Sequence, residues 1–180
     1  MTAQVDISAN RRARNYGRRE QLGRVLWWLA TPLFRFSPRL LWGWRAALLR
    51  LFGAEVGAQV HVFPSVRIAM PWNLRLGDQV AVGDHAILYA LGVISIGDRA
   101  TVSQRAHLCA GTHDHRDPAR PLLRQPIGIG ADAWVCADAF VGPKVRIGPG
   151  AILGARAVAM RDLPGGTTGY GNPMRIRQTS

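Results

Sequence analysis

From Val56 onward an aliphatic residue returns every six positions: Val56, Val62 and Ile68; Leu76, Val82 and Leu88; Ile96, Val102 and Leu108; Ile129, Val135 and Val141; Ile147, Leu153 and Ala159. Glycine follows many of these anchors, as at Gly57, Gly77, Gly97, Gly130 and Gly148, and the residue four after each anchor is small or apolar. A period of six matches neither the winding of a helix nor the alternation of a flat strand. It suits a short strand followed by a tight turn, with the anchor pointing inward and the glycine expected to supply a positive backbone angle. Three such units make one triangular coil, and stacked coils bury a column of anchors while pairing their backbones with the coils above and below. The expected fold is an all-β solenoid, a parallel β-helix of about five triangular coils.

The first anchors of successive coils, at 56, 76, 96, 129 and 147, are separated by 20, 20, 33 and 18 residues. Every surplus over 18 fits after the third unit, so two corners stay tight and one carries all the insertions. The largest insertion is a loop at 114–128, extruded from the side of the prism, and the stretch CAGTHDHRDPARP at 109–121 straddles its start. His113 then stands at the root of the loop and His115 lies further out. Residues 1–52 lack the period and form a basic, amphipathic N-terminal helical segment. Within it, 39–52 reads as a helix with Gly53 at its C-cap, placed to cover the open edge of the first coil. The solenoid occupies 53–164, and 165–180 reads as a turn followed by a basic tail.

The formal charge of +12 is concentrated at the N-terminus, where residues 1–52 hold ten arginines against Asp6 and Glu20. The longest apolar run, Val25–Phe34, is interrupted by Thr31 and Pro32 and falls far short of the about 20 residues that cross a bilayer. Cys109 and Cys136 are too few for a disulfide framework and lack zinc spacing, which points to a reducing, cytoplasmic setting.

The stretches MPWNLRLGDQVAVGD (70–84), LGVISIGDRATVSQRAHLCAGTHD (91–114), IGADAWVCADAFVGPKVRIGPGAILGARAV (129–158) and GYGNPMR (169–175) resemble the hexapeptide-repeat O-acetyltransferases. Within that family the resemblance is to the colanic acid and other exopolysaccharide enzymes. It implies a left-handed β-helix, a homotrimer with active sites between neighbouring subunits, and acetyl-CoA as acyl donor; the spacing of His85, His107 and His113 separately argues against a metal site. His113 matches the family's catalytic histidine and Trp134 its conserved tryptophan after the loop. Ala137, Ala155 and Arg175 correspond to coenzyme-contacting positions. Two departures stand out. The Asn and Asp with which the maltose and galactoside relatives bind acceptor are replaced by Tyr89-Ala90-Leu91-Gly92, and a lysine of the last coil is replaced by Arg161.

Moving an acetyl group from a thioester to a hydroxyl requires a base for the alcohol proton, and an imidazole can both take that proton and return one to the departing thiolate. His113 is the candidate base, against the alternative of a plain loop histidine. No G-x-S-x-G nucleophile pattern is present. Trp134 is read as a wall of the acyl or acceptor pocket. His115 and Asp114 are candidate substrate contacts, the aspartate alternatively capping a loop turn. Arg156 and Arg161, with Arg175, Arg177 and Lys144, supply charge for coenzyme phosphates, or form a solvated face. Asp84 and Asp98 read as turn residues, both cysteines as small packing residues, His61 as surface, and His107 as facing a subunit seam.

The leading reading is acetyl-CoA-dependent O-acetylation of a sugar or lipid-linked glycan for surface polysaccharide. The competing classes are a noncatalytic β-helix scaffold and a basic binding protein. For the latter, tryptophans and aliphatics mixed among the arginines of 1–52 favour peripheral contact with an anionic membrane, on its inner face, over nucleic acid.

Overall fold

The six-residue anchors stack in register. In the computed structural model, which describes residues 5–178, three parallel sheets form the faces of a prism. The first face contains Glu55–Val56, Leu74–Leu76, Ile94–Ile96, Ile127–Ile129 and Arg146–Ile147. The second begins at His61–Val62 and passes through Ala81–Val82, Thr101–Val102, Trp134–Val135 and Ile152–Leu153. The third runs from Arg67–Ile68 through Ile87–Tyr89, His107–Cys109 and Phe140–Val141 to Val158–Ala159. Anchor pairs with anchor on every face, as in Leu76 with Ile96, Val102 with Val135, and Leu108 with Val141. Val82, Leu88, Val102, Leu108, Val135 and Leu153 are all fully buried.

Stacking continues beyond the fifth coil, to about six. Leu163 bridges to Ile147, and Thr167–Tyr170 pairs in parallel with Ile152–Leu153. Arg175–Gln178 then folds back antiparallel on Thr167–Tyr170 and covers the last edge. The additional coil escapes a search for a six-residue period because Gly169, and not an aliphatic residue, stands over Leu153.

The turns differ from the expectation in one respect. Positive φ falls three residues after the anchor, on Gln59, Gln79, His85, Arg99, Arg105, Asp132, Asp138, Lys144 and Arg156, and among the glycines on Gly150 and, after Leu163, on Gly166. Glycine after the anchor serves close approach. A Cβ on Gly97 would lie 2.6 Å from the Ala131 backbone nitrogen of the next coil. Asp98 accepts the Asp78 N–H at 2.8 Å and Asp84 the Ser65 hydroxyl at 2.9 Å, so both aspartates tie neighbouring coils together.

The N-terminal segment forms α1 (Ile7–Arg12), α2 (Arg18–Arg35) and α3 (Trp42–Leu51). Helix α2 runs through Pro32, whose missing N–H leaves only the carbonyl of the exposed Trp28 without its usual helical donor. Trp27 and Phe34 on its inner face are buried, and the Trp27 indole N–H donates to the Ile68 carbonyl at 2.8 Å. Helix α3 lies over the first coil with Leu48 and Leu49 inward, and it ends at Gly53 with φ +83°, as a C-terminal glycine should.

Arg45 of α3 is fully buried and has no carboxylate partner among the described residues. Its guanidinium donates to the carbonyls of Val62 (2.6 Å), Pro38 (2.9 Å) and Arg39 (2.6 Å) and to the Ser37 hydroxyl (2.8 Å), so one side chain fastens the α2–α3 connection to the solenoid. Arg45→Ala orphans three carbonyls and is expected to lower the unfolding free energy by about 2–3 kcal/mol, measured by urea denaturation.

Candidate active site

The insertion at the third corner is a β-hairpin. Gly111–His113 pairs antiparallel with Leu122–Arg124, placing His113 opposite Leu122. The chain then rejoins the first face at Ile127. At the start of the hairpin Gly111 packs closely against Leu91 of the coil before, where a Cβ would lie 2.8 Å from the Leu91 side chain.

His113 is exposed, and its Nδ1 lies 2.7 Å from the Arg120 carbonyl oxygen across the hairpin. A carbonyl only accepts, so in the neutral ring this contact puts the proton on Nδ1 and the lone pair on Nε2. The same carbonyl accepts from the Asn10 side-chain amide at 2.7 Å, and that amide also donates to the Ala119 carbonyl at 2.9 Å. Further braces join the N-terminal segment to the hairpin. The Asp6 N–H donates to the Pro118 carbonyl at 2.8 Å. Arg124 forms an ion pair with Glu20 at 2.5 Å and donates to the Asn15 carbonyl. The Arg124 guanidinium holds the Glu20 carboxyl below its ordinary range.

Asp114 accepts the Arg116 N–H at 2.9 Å, and Asp117 accepts the Ala119 N–H at 2.8 Å. Asp114 thus sits as a cap in the hairpin turn, and the group that orients His113 is a backbone carbonyl. His115 is exposed in the same turn.

Trp134 lies elsewhere. It is on the second face between Thr101 and Ile152, half-exposed, with its indole N–H donating to the Ser103 hydroxyl at 2.8 Å. The corner that carries the hairpin joins the third face to the first, and in a triangular prism it is the corner opposite the second face. His113 and Trp134 of one chain therefore point to different sides of the molecule, and Trp134 does not stand beside the returning strand.

Arg161 and Arg175 come together at the end of the solenoid. They line a cleft of about 480 Å³ with Val158, Met160, Asn172, Pro173 and Met174, and Arg161 donates to the Met174 carbonyl at 3.2 Å. Ala137, Ala155 and Arg156 occupy the turns between the second and third faces, where the Arg156 N–H donates to the Ala137 carbonyl at 2.9 Å. Lys144 is on the corner of the hairpin, and Arg177 is on the edge strand opposite Thr168.

On the outer side of the third face Ile87, Tyr89, Phe140 and Val158 surround His107, with the exposed Arg67 on its first strand. His107 lies between Tyr89 and Phe140, with ring centroids 6.5 and 5.2 Å away, and burial pushes its pKa down. Its Nε2 is the buried side-chain polar atom that has no hydrogen-bond partner among the described residues. His61 stacks on Trp42 at 4.7 Å. The Cys109 thiol donates to the Gly111 carbonyl at 3.3 Å, and burial raises the Cys136 pKa, which suits packing and not nucleophilic attack. Asn10, Glu20 and Arg124 escaped the reading of the sequence, since polar contacts between residues 104 to 110 apart follow no period.

No protein-family model matches the chain. Over 149 residues it is 46% identical to the Escherichia coli (strain K12) protein WcaF, assigned as a colanic acid biosynthesis acetyltransferase, with 82% of each chain covered. Among solved structures it superposes on a maltose O-acetyltransferase from Clostridium difficile 630 with a TM-score of 0.81 at 22% identity, covering 98% of this chain and 97% of that one. A hexapeptide-repeat acetyltransferase from Vibrio cholerae O1 biovar eltor, complexed with acetyl coenzyme A, superposes with a TM-score of 0.83 at 21% identity, covering 92% and 91%. With nearly half the aligned residues identical to an acetyltransferase over four-fifths of both sequences, and with the repeat realised as a triangular solenoid, the chain belongs to the hexapeptide-repeat acetyltransferases.

Proposed function

We propose that the protein is an acetyl-CoA-dependent O-acetyltransferase that modifies a sugar hydroxyl in exopolysaccharide biosynthesis, with His113 as general base. The observation that carries the reading is the His113 ring, exposed on a braced hairpin with Nδ1 committed to the Arg120 carbonyl. Nε2 takes the proton of the acceptor hydroxyl as its oxygen attacks the thioester carbon. A C–O bond forms, the C–S bond breaks, and the same nitrogen returns the proton to the leaving thiolate. No acyl-enzyme is required. Similarity to an acetyltransferase assigned to colanic acid synthesis supports the acceptor class.

The placement of His113 and Trp134 on opposite sides of the prism supports a homotrimer in which the hairpin of one protomer approaches the second face of the next, so that Trp134 of that neighbour walls the acceptor pocket. Arg161 and Arg175 beside the terminal cleft bind coenzyme phosphate, with Ala137, Ala155 and Arg156 along the adjoining turns. His115 and Asp114 reach the substrate from the hairpin turn. Release of coenzyme thiol, assayed across nucleotide sugars, lipid-linked sugars and free glycans, tests the reading. Thiol release with none of them, or release equally fast in the His113→Ala variant, removes it.

Asn10 is a positioning residue for this chemistry, because it shares the Arg120 carbonyl with His113. Asn10→Ala is expected to lower kcat about tenfold, the equivalent of one hydrogen bond, while KM for acetyl-CoA stays within about twofold. A purely structural role would move the unfolding transition and leave kcat of the folded enzyme unchanged.

A further inference from the structure

Helix α2 carries two apolar faces, and only one of them is covered. Trp27 and Phe34, 5% and 1% exposed, pack on the solenoid. On the other side Leu22, Val25, Leu26, Leu29 and Leu33 are 48–60% exposed, and at the angular spacing of a helix they fall within a stripe about 100° wide. Phe36, at 86%, continues the stripe past the helix end, and Trp28 stands beside it at 72% exposure. Such continuity is unlike the scattered apolar residues of an ordinary surface.

The charge around the stripe selects its occupant. Arg18 and Arg19 border it at the N-terminal end and Arg35 and Arg39 at the other, all exposed, with Arg11, Arg12 and Arg14 in the segment just before. Asp6 and Glu20 are the acidic residues of residues 1–52, and Glu20 is already paired with Arg124. A second copy docking stripe to stripe would bring arginine against arginine. A lipid surface with anionic headgroups takes the leucines among its acyl chains and the guanidiniums among its phosphates, with Trp28 at the boundary. No helix among the described residues is long and apolar enough to cross a membrane, so the contact is peripheral.

We infer that the outer face of α2 is a docking surface for an anionic bilayer, laid on the membrane along Leu22–Leu33. Glu20 of the same helix holds Arg124 of the hairpin, so docking ties the hairpin that carries His113 to the docked helix. The surface itself does not rest on the acyl-transfer reading.

Vesicle co-sedimentation tests it, with the full-length protein, phosphatidylglycerol-containing and pure phosphatidylcholine liposomes, and the variants L26E/L29E/L33E and R18E/R19E. Expected are at least tenfold tighter binding to the anionic vesicles, a loss of at least tenfold in the triple variant, a several-fold loss in the arginine variant, and weakening by 0.5 M salt. The substituted side chains face solvent, so the thermal midpoint and the light-scattering mass should match the wild type. Equal binding of wild type to both vesicles, no binding to either, or undiminished binding by the triple variant would overturn the proposal. So would a triple variant that falls apart from oligomer to monomer, since the stripe would then be covered by another copy.

Discussion

His113→Ala is expected to slow acetyl transfer to the acceptor about a thousandfold, the scale on which a positioned general base acts. Loss of the imidazole removes the proton acceptor and leaves the alcohol to attack with its proton attached. The residue is exposed and, among the described residues, its side chain bonds to a turn carbonyl alone, so the fold does not depend on it. The variant should therefore unfold at the wild-type temperature and bind coenzyme A with unchanged affinity by calorimetry. Steady-state thiol release with a competent acceptor reads the kinetic effect. A fall of less than about tenfold would show that the proton leaves by another route, and a His113-centred mechanism would no longer stand.

Leu108→Ala carries the largest expected effect on stability. Leu108 is fully buried in the third face, in register between Leu88 and Val141, with the prism closed on both sides. Removing its isobutyl group leaves a void that the surrounding backbone cannot collapse into, because each strand is tied to the coil above and below. A loss of about 4 kcal/mol is expected in urea denaturation. The same truncation on the outer stripe of α2, Leu29→Ala, should change stability by less than about 0.5 kcal/mol, since Leu29 buries little. Near-equal effects at the two positions would mean that the six-residue anchors do not form the core.

The six-residue recurrence by itself specifies the strands, the three faces and their register, because each coil packs on a copy of itself. A repeated inward aliphatic is then a statement about packing. Val62, Val82, Val102 and Val135 stand over one another as the spacing required. The position of the insertion was legible for the same reason, since the surplus residues could enter at one corner only. Glycine was legible as a requirement and misread as to cause. Gly97 is needed for the closeness of the next coil, and the left-handed turn is taken by Arg99 two residues later.

What the linear pattern determined, then, was whatever repeats, and His113 could be placed at the root of the excursion because the repeat stops there. Only the tertiary structure decided which group holds the imidazole and what braces the hairpin. The Arg120 carbonyl, Asn10 and the Glu20–Arg124 pair meet by the path of a non-repeating segment, and one hydrogen bond between distant residues leaves no periodic trace. The same holds for the two faces of α2. Its leucines were visible as apolar residues, but which of them are covered depended on where Trp27 and Phe34 found the solenoid, and burial is a property of the packed molecule.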